Sequence, residues 1–257
     1  MKRGIIKTPE EIALLCEGGK HLARILYAVE KKVVPGVSTR SLDTLAENLI
    51  RECGAIPAFK NYTPEGAHSA YPGTLCVSVN DEVVHGIAGD RILREGDIVG
   101  IDLGMQYQGL FVDMAITVPV GAIDETAKKL IQTTRNALYA GIAEARAGRT
   151  LGDIGAAIED SVKEGGFVVV EELGGHGVGY AQHEDPHIAN YGVRGEGVKL
   201  RVGMVLALEP IVNEGTRMVK ILPDGYTFVT RDHKRSAHFE HTILVTEREP
   251  EILTKVS

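Results

Sequence analysis

An α/β fold made of two similar halves is the architecture this sequence predicts, and three observations predict it. Apolar residues recur at helical spacing in two early segments. Short runs that are β-branched or alternate in polarity follow them. The same order, long helix, glycine break, shorter helix, glycine, strands, then returns in the second part of the chain. The copies agree in order more than in residue identity, and they are too few for a solenoid. No Ser/Pro/Gly-rich linker or low-complexity tract separates them. The expectation is therefore one domain over 1–257, with an N-terminal half to about residue 120 and a C-terminal half over 121–257.

The first helix is expected over 8–33. Thr8 can cap it, Pro9 suits its first position, and Glu10 and Glu11 complement the positive end of its dipole. Ile12, Leu15, Cys16, Leu22, Ile25, Leu26 and Val29 then share a face, and Pro35-Gly36 ends the run. A second helix over 41–53 carries Leu42, Leu45, Leu49 and Ile50 and stops at Gly54. Helices over 123–145 and 151–163 form the corresponding pair. Strands are expected over 75–79, 98–103 and 110–118, and again over 167–171, 204–208, 226–230 and 239–245.

With 257 residues, 44% of them hydrophobic, the chain can bury a substantial core. A net charge of -7 argues against broad binding to nucleic acid or anionic membranes. No apolar run approaches the roughly 20 residues needed to span a bilayer. The basic start, MKRGIIKTPEEIALL, lacks a signal-type apolar stretch and reads as the beginning of a folded domain. Cys16, Cys53 and Cys76 are odd in number and not spaced as metal ligands, which suits reduced thiols in a cytoplasmic protein.

Several acids sit where apolar strands should not tolerate them. A tight turn at Tyr107-Gln108 would set Asp102 directly opposite Asp113 in a hairpin, where like charges repel. A cation between them would remove that objection; a wet sheet face, or another register, would do so equally. Glu209 ends one apolar strand and Glu240 opens another. Strand-end carboxylates are often merely solvated, but four such acids in one chain form a pattern. His176 lies among glycines, which permit close approach of backbone to a ligand, although a loop histidine would look the same. His85 and His183, taken singly, fit surface positions as well. Four negative charges and a neutral imidazole balance two divalent cations, and mostly oxygen ligands suit Mn, Fe or Co without excluding Zn.

Taken in order, NDEVVHG, GIDLG with LFVD, GGHGVG, HEDP, ALEP and FEHT resemble the methionine aminopeptidases of the pita-bread fold across nearly the whole chain. The short interval between Glu209 and Glu240 is similar to the type I enzymes. The resemblance implies two pseudo-symmetric α/β halves around a dinuclear site. It makes Asp102, Asp113, His176, Glu209 and Glu240 the ligands of two divalent ions, with Asp113 and Glu240 bridging. It implies attack by a metal-bridging water or hydroxide, with His183 at the scissile carbonyl, His85 near the cleaved amide and Glu209 also relaying a proton. Phe59, Tyr62, Tyr71, Cys76 and Tyr226 would wall the methionine pocket, although Cys76 also fits a small buried hydrophobe. The implied substrates are N-termini of nascent polypeptides with a small second residue, met at the ribosome by a cytoplasmic monomer with no membrane or direct nucleic-acid role. A proline-directed peptidase and a non-catalytic binding paralogue of the same fold are the competing readings. Departures from the family pattern are a longer 60–70 segment with a turn over 63–66, Tyr226 for a common Trp, Gln182 for a common aromatic residue, and His238 for a common Gln.

Overall fold

Helix α1 (Pro9–Glu30) begins at its expected cap. The Thr8 hydroxyl accepts the Glu11 N–H and the Glu11 carboxylate accepts the Thr8 N–H, a reciprocal capping box. Helix α2 (Thr39–Glu52) starts two residues before the expected position, because Ser38 is the cap and accepts the Ser41 N–H. The computed structural model describes residues 5–63 and 69–256. Strands β1 (Ile56–Pro57), β2 (Cys76–Val79), β3 (Glu82–Val84), β4 (Ile98–Tyr107) and β5 (Leu110–Pro119) complete the first half.

The second half opens with α3 (Glu125–Glu144), capped by Asp124, and α4 (Leu151–Glu164), capped by Thr150 in a second capping box with Asp153. Then come β6 (Val168–Val169), β7 (Gly174–Gly177), β8 (Glu184–Ala189), β9 (Val205–Leu208) and β10 (Ile211–Asn213). The last strands are β11 (Val219–Ile221), β12 (Phe228–Thr230), β13 (Ser236–His238), β14 (His241–Leu244) and β15 (Glu251–Ile252). All four expected helices and all seven expected strand regions are present, several strands in shortened form. The additional short strands mostly lie where polar or glycine-rich sequence conceals the alternation.

In the first half β4 pairs with β5 along one edge and with β1 and β2 along the other. In the second, β15-β14-β9-β7-β8 form a five-stranded sheet. Helix α1 packs on β4 and β5, and α3 packs on α4. Leu15, Leu22, Ile25, Leu26 and Val29 are the buried side of α1. Each such side chain contributes about 1.5–3 kcal/mol on burial. One core cluster contains Ile101, Leu103 and Met114 of the first half together with Leu206, Leu208 and Ile243 of the second.

The two sheets meet where β5 runs beside the 236–244 segment. The Asp113 N–H donates to Thr242 Oγ1 at 2.9 Å, and that hydroxyl donates to the Asp113 carbonyl at 2.8 Å. The Glu240 N–H donates to the Ala115 carbonyl at 2.8 Å. Thr117 Oγ1 donates to the His238 carbonyl at 2.9 Å. This seam brings an acid-bearing two-stranded ribbon of one half against its counterpart in the other.

Candidate metal centre and adjoining pocket

The first acid pair comes from the β4–β5 hairpin. Its turn residues are Gln108 and Gly109, with φ of 50° and 86°. Two positive φ values give the twist that a two-residue hairpin requires. Tyr107 therefore remains in the strand and pairs with Leu110, so Asp102 pairs with Ala115 and Asp113 with Gly104. The expected turn at Tyr107-Gln108 was one residue early, and the two acids are not directly opposed. They are diagonal neighbours on the same sheet face, which lets both carboxylates reach one space.

The second pair comes from a longer ribbon. Leu208 pairs with His241, and Ile211 pairs with His238, in one register on both sides of an interruption. That register sets Glu209 across from Glu240. The strand expected over 239–245 is split here for two reasons. Pro210 has no N–H to give the ladder, and the Glu240 N–H is drawn to Ala115 of the other half.

His176 projects from β7, a central strand between β8 and β9 and not a loop. A Cβ on Gly175 would lie 2.3 Å from the Ala207 carbonyl oxygen, and one on Gly177 would lie 2.3 Å from that of Asp185. Only glycine lets the neighbouring strands approach so closely. His176 Nδ1 is 3.0 Å from the Gly177 carbonyl. Donation there leaves the Nε2 lone pair free, 3.6 Å from Glu209 Oε1.

Asp113, His176 and Glu240, all buried, each offer one donor atom within 4.8 Å of the others. Asp102 and Glu209 adjoin them in the same cavity. Asp102 Oδ1 and Glu240 Oε1 have no hydrogen-bond partner among the described residues. Burial, then Glu209, pushes Asp113 up to about 8, and burial pushes Glu209 up to about 8. Burial and the neighbouring carboxylates hold Asp102 and Glu240 well above the ordinary range. Burial also lowers His176 to about 3 and His85 to about 4, and lowers His183, so these imidazoles are neutral. Orphaned carboxylate oxygens, mutually repelling acids and one neutral imidazole form a donor set that fits divalent cations.

The same cavity, about 80 Å³, is lined on its other side by Phe59, Tyr62, Tyr71, Cys76, Gln182 and Tyr226. Phe59, Tyr71, Cys76 and Tyr226 form an apolar cluster apart from the main core. The Tyr71 and Tyr226 rings meet edge-on at 5.1 Å. Tyr71 donates to the Gly86 carbonyl at 2.9 Å, and Tyr226 donates to the Ser69 carbonyl. Cys76 pairs with Asp102 across β2 and β4, and burial followed by that acid keeps its thiol protonated. The turn expected over 63–66 falls largely outside the described residues.

His85 follows β3 at φ 59° and meets the Phe228 ring edge at 5.8 Å. His183 lies 3.4 Å from the Tyr62 hydroxyl through Nδ1, with its ring 4.6 Å from that of His176. Its loop is braced by Glu184, whose carboxylate accepts the N–H groups of Tyr180 and Ala181 and pairs with Lys7 at 2.7 Å. His85, His176, His183 and Glu209 also border an outer cavity of about 510 Å³ with Leu173, His187 and Ile211. The structure thus gathers all twelve sequence-selected residues around one space. It adds Gln182 and His238, noted before only as departures; His238 Nε2 is 3.4 Å from Glu209 Oε2. Leu173 and His187 carried no sequence signal, since only the fold brings them to the cleft.

The model of metallopeptidase family M24 matches residues 14–247. The chain is 47% identical over 252 residues to methionine aminopeptidase 1 of Bacillus subtilis (strain 168), covering 98% of this chain and 99% of that protein. It matches the crystal structure of methionine aminopeptidase from Thermotoga maritima with a TM-score of 0.94 and 46% identity, over 99% of this chain and 100% of the other. Prolidase from Pyrococcus horikoshii OT3 gives a TM-score of 0.75 at 24% identity and is covered over 64% of its length, a likeness of fold alone.

Proposed function

This chain belongs to metallopeptidase family M24, within which its full-length relatives are methionine aminopeptidases, and from that premise we propose that it removes the N-terminal methionine of proteins whose second residue is small. The observation that carries this reading is the shared cavity, with metal-type donors on one wall and a largely apolar pocket on the other.

Asp102, Asp113, His176, Glu209 and Glu240 would hold two divalent ions, Mn, Fe, Co or Zn. Bound there, such ions supply Lewis acidity toward the scissile carbonyl and acidify water. Phe59, Tyr62, Tyr71, Cys76 and Tyr226 receive the methionine side chain and exclude water. If the Tyr62 hydroxyl donates to His183 Nδ1, the neutral ring carries its proton on Nε2, where it can donate to the substrate carbonyl oxygen. His85 contacts the substrate near the cleaved amide. Glu209 carries a proton from the attacking water to the leaving amine.

The catalytic unit is the whole of 1–257, its halves joined near residue 120. No helix of the described residues is long and apolar enough to cross a membrane. By likeness to its relatives, we extend the proposal to a cytoplasmic monomer that meets nascent chains at the ribosome.

The test is kcat/KM on Met-Xaa-Ser peptides as Xaa grows from Gly and Ala to Val and Leu, alongside an X-Pro peptide. Activity should fall with the size of Xaa, vanish on chelation and return with Mn or Co. Cleavage of the X-Pro peptide with none of Met-Ala-Ser at saturating metal would transfer the chain to the proline-directed reading.

A further inference from the structure

One buried nitrogen beside the acids of the metal centre has no partner. His238 Nε2 makes no hydrogen bond among the described residues, although Glu209 Oε2 lies 3.4 Å away, just beyond hydrogen-bonding range. The backbone that carries the ring is fixed. His238 ends β13 and pairs with Ile211, two residues after Glu209. Its N–H donates to Thr117 Oγ1 at 2.8 Å, and that hydroxyl donates to the His238 carbonyl at 2.9 Å. The residue is only 4% exposed, and it lines neither the inner pocket nor the outer cleft. It therefore meets Glu209 from outside the space a substrate would fill. The two oxygens of Glu209 have different neighbours: Oε1 is 3.6 Å from His176 Nε2, and Oε2 faces His238. Leaving a buried ring nitrogen unpaired is costly unless some state of the protein pairs it.

Building on the metal-centre reading above, we propose that His238 is a positioning residue for Glu209: its Nε2–H holds Glu209 Oε2 when that acid is ionised, and so directs Oε1 into the space shared with His176. A carboxylate that ligates a divalent cation must be deprotonated. It then has no proton to give, so the tautomer of His238 that can pair with it carries the proton on Nε2. Charge-assisted bonds of this kind close to about 2.7–2.9 Å, a contraction that a small rotation of the Glu209 side chain supplies. An acid tied by one oxygen loses less freedom when the other ligates, and it keeps its aim. Groups behind a ligand that orient it in this way commonly govern metal affinity and turnover together. Glu209 is also the acid that carries the proton to the leaving amine in the proposed reaction, so the same bond fixes its approach. His238 itself touches no substrate, and no proton passes to it.

The experiment titrates metal-free protein with Mn²⁺ by calorimetry and follows urea unfolding of the same metal-free preparations. The wild type is compared with His238→Leu and His238→Met, which lack a donor, and with His238→Gln, whose amide keeps an N–H near the place of Nε2. Two donorless variants are read so that one failing to fold does not decide the outcome. Each should weaken the Kd for Mn²⁺ by about 10–100-fold, yet leave the metal-free protein at least as stable as the wild type, because the deleted nitrogen had no partner there. His238→Gln should restore the affinity. At saturating Mn²⁺, the donorless variants should lose about 10-fold in kcat on Met-Ala-Ser with KM unchanged. Undiminished Mn²⁺ binding without the donor, or no rescue by His238→Gln, overturns the inference. A rise in KM with Mn²⁺ affinity intact makes His238 a substrate contact and overturns it as well. A wild type that shows the expected Mn²⁺ pattern but cleaves no peptide overturns the peptidase reading and sustains the role of His238.

Discussion

Asp113 shows what a buried carboxylate costs before a cation arrives. Its value of about 8 in the folded protein lies above the ordinary Asp value of about 3.9. In the metal-free protein it therefore favours folding at low pH and loses that contribution as pH rises through about 8. Glu209 acts in the same sense. His176 and His85, buried neutral, act oppositely below about 6.5, the ordinary histidine value. Urea unfolding of the metal-free protein should accordingly show stability falling between about pH 6.5 and 8, and divalent cation should reverse the slope while releasing protons. Asp113→Asn should stabilise the metal-free protein at about pH 8 by about 1–4 kcal/mol while lowering the metal content measured by atomic absorption. His183→Ala should keep its metal and lose about 10²–10³-fold in kcat; loss of metal in that variant would contradict a role outside the ligand set.

Local elements aim the site, and two of them set its precision. The hairpin turn at Gln108-Gly109 decides which residues of β4 and β5 face each other, so a shift of one turn residue converts opposed acids into diagonal ones. The His183 loop depends on the N-terminal strap. The Lys7 N–H donates to the Gly203 carbonyl at 2.9 Å, its ammonium lies 4.0 Å from the centre of the Tyr180 ring, and its side chain is 1% exposed. Removing that charge strands the Glu184 carboxylate. Lys7→Met should cost about 3 kcal/mol, and adding Glu184→Gln should recover part of the loss, a coupling that a double-mutant cycle in urea would measure. The same variant should lower kcat, because the loop that places His183 loses its anchor.

Across the whole molecule, the candidate ligands divide between the halves: Asp102 and Asp113 from one hairpin, His176, Glu209 and Glu240 from the other half. A cation bound by both is a cross-link at the seam, present only in the folded state, and it stabilises by mass action. Chelation should therefore lower Tm by several degrees, in proportion to how far free metal exceeds its Kd. Scanning calorimetry with and without chelator, repeated on Glu240→Gln, would check this; a Tm indifferent to chelation in the wild type would speak against a metal at the seam.

The four helices, the two-half order and the four misplaced acids were legible in the linear sequence, because capping, apolar periodicity and an acid on an apolar strand are local features of composition, whereas the pocket residues were named only through the family resemblance. Thr8 marks the start of its helix as a capping residue followed by Pro and two acids, and Asp102 or Glu209 stands out against the apolar strand that carries it. The hairpin register, the strand character of the glycine segment around His176 and the unpaired carbonyl oxygen of Gln182 were decided only by tertiary structure. Each depends on what approaches from elsewhere: the φ values that a closing turn demands, the carbonyls of Ala207 and Asp185 pressed against Gly175 and Gly177, and the burial that leaves the Gln182 carbonyl oxygen without a partner among the described residues.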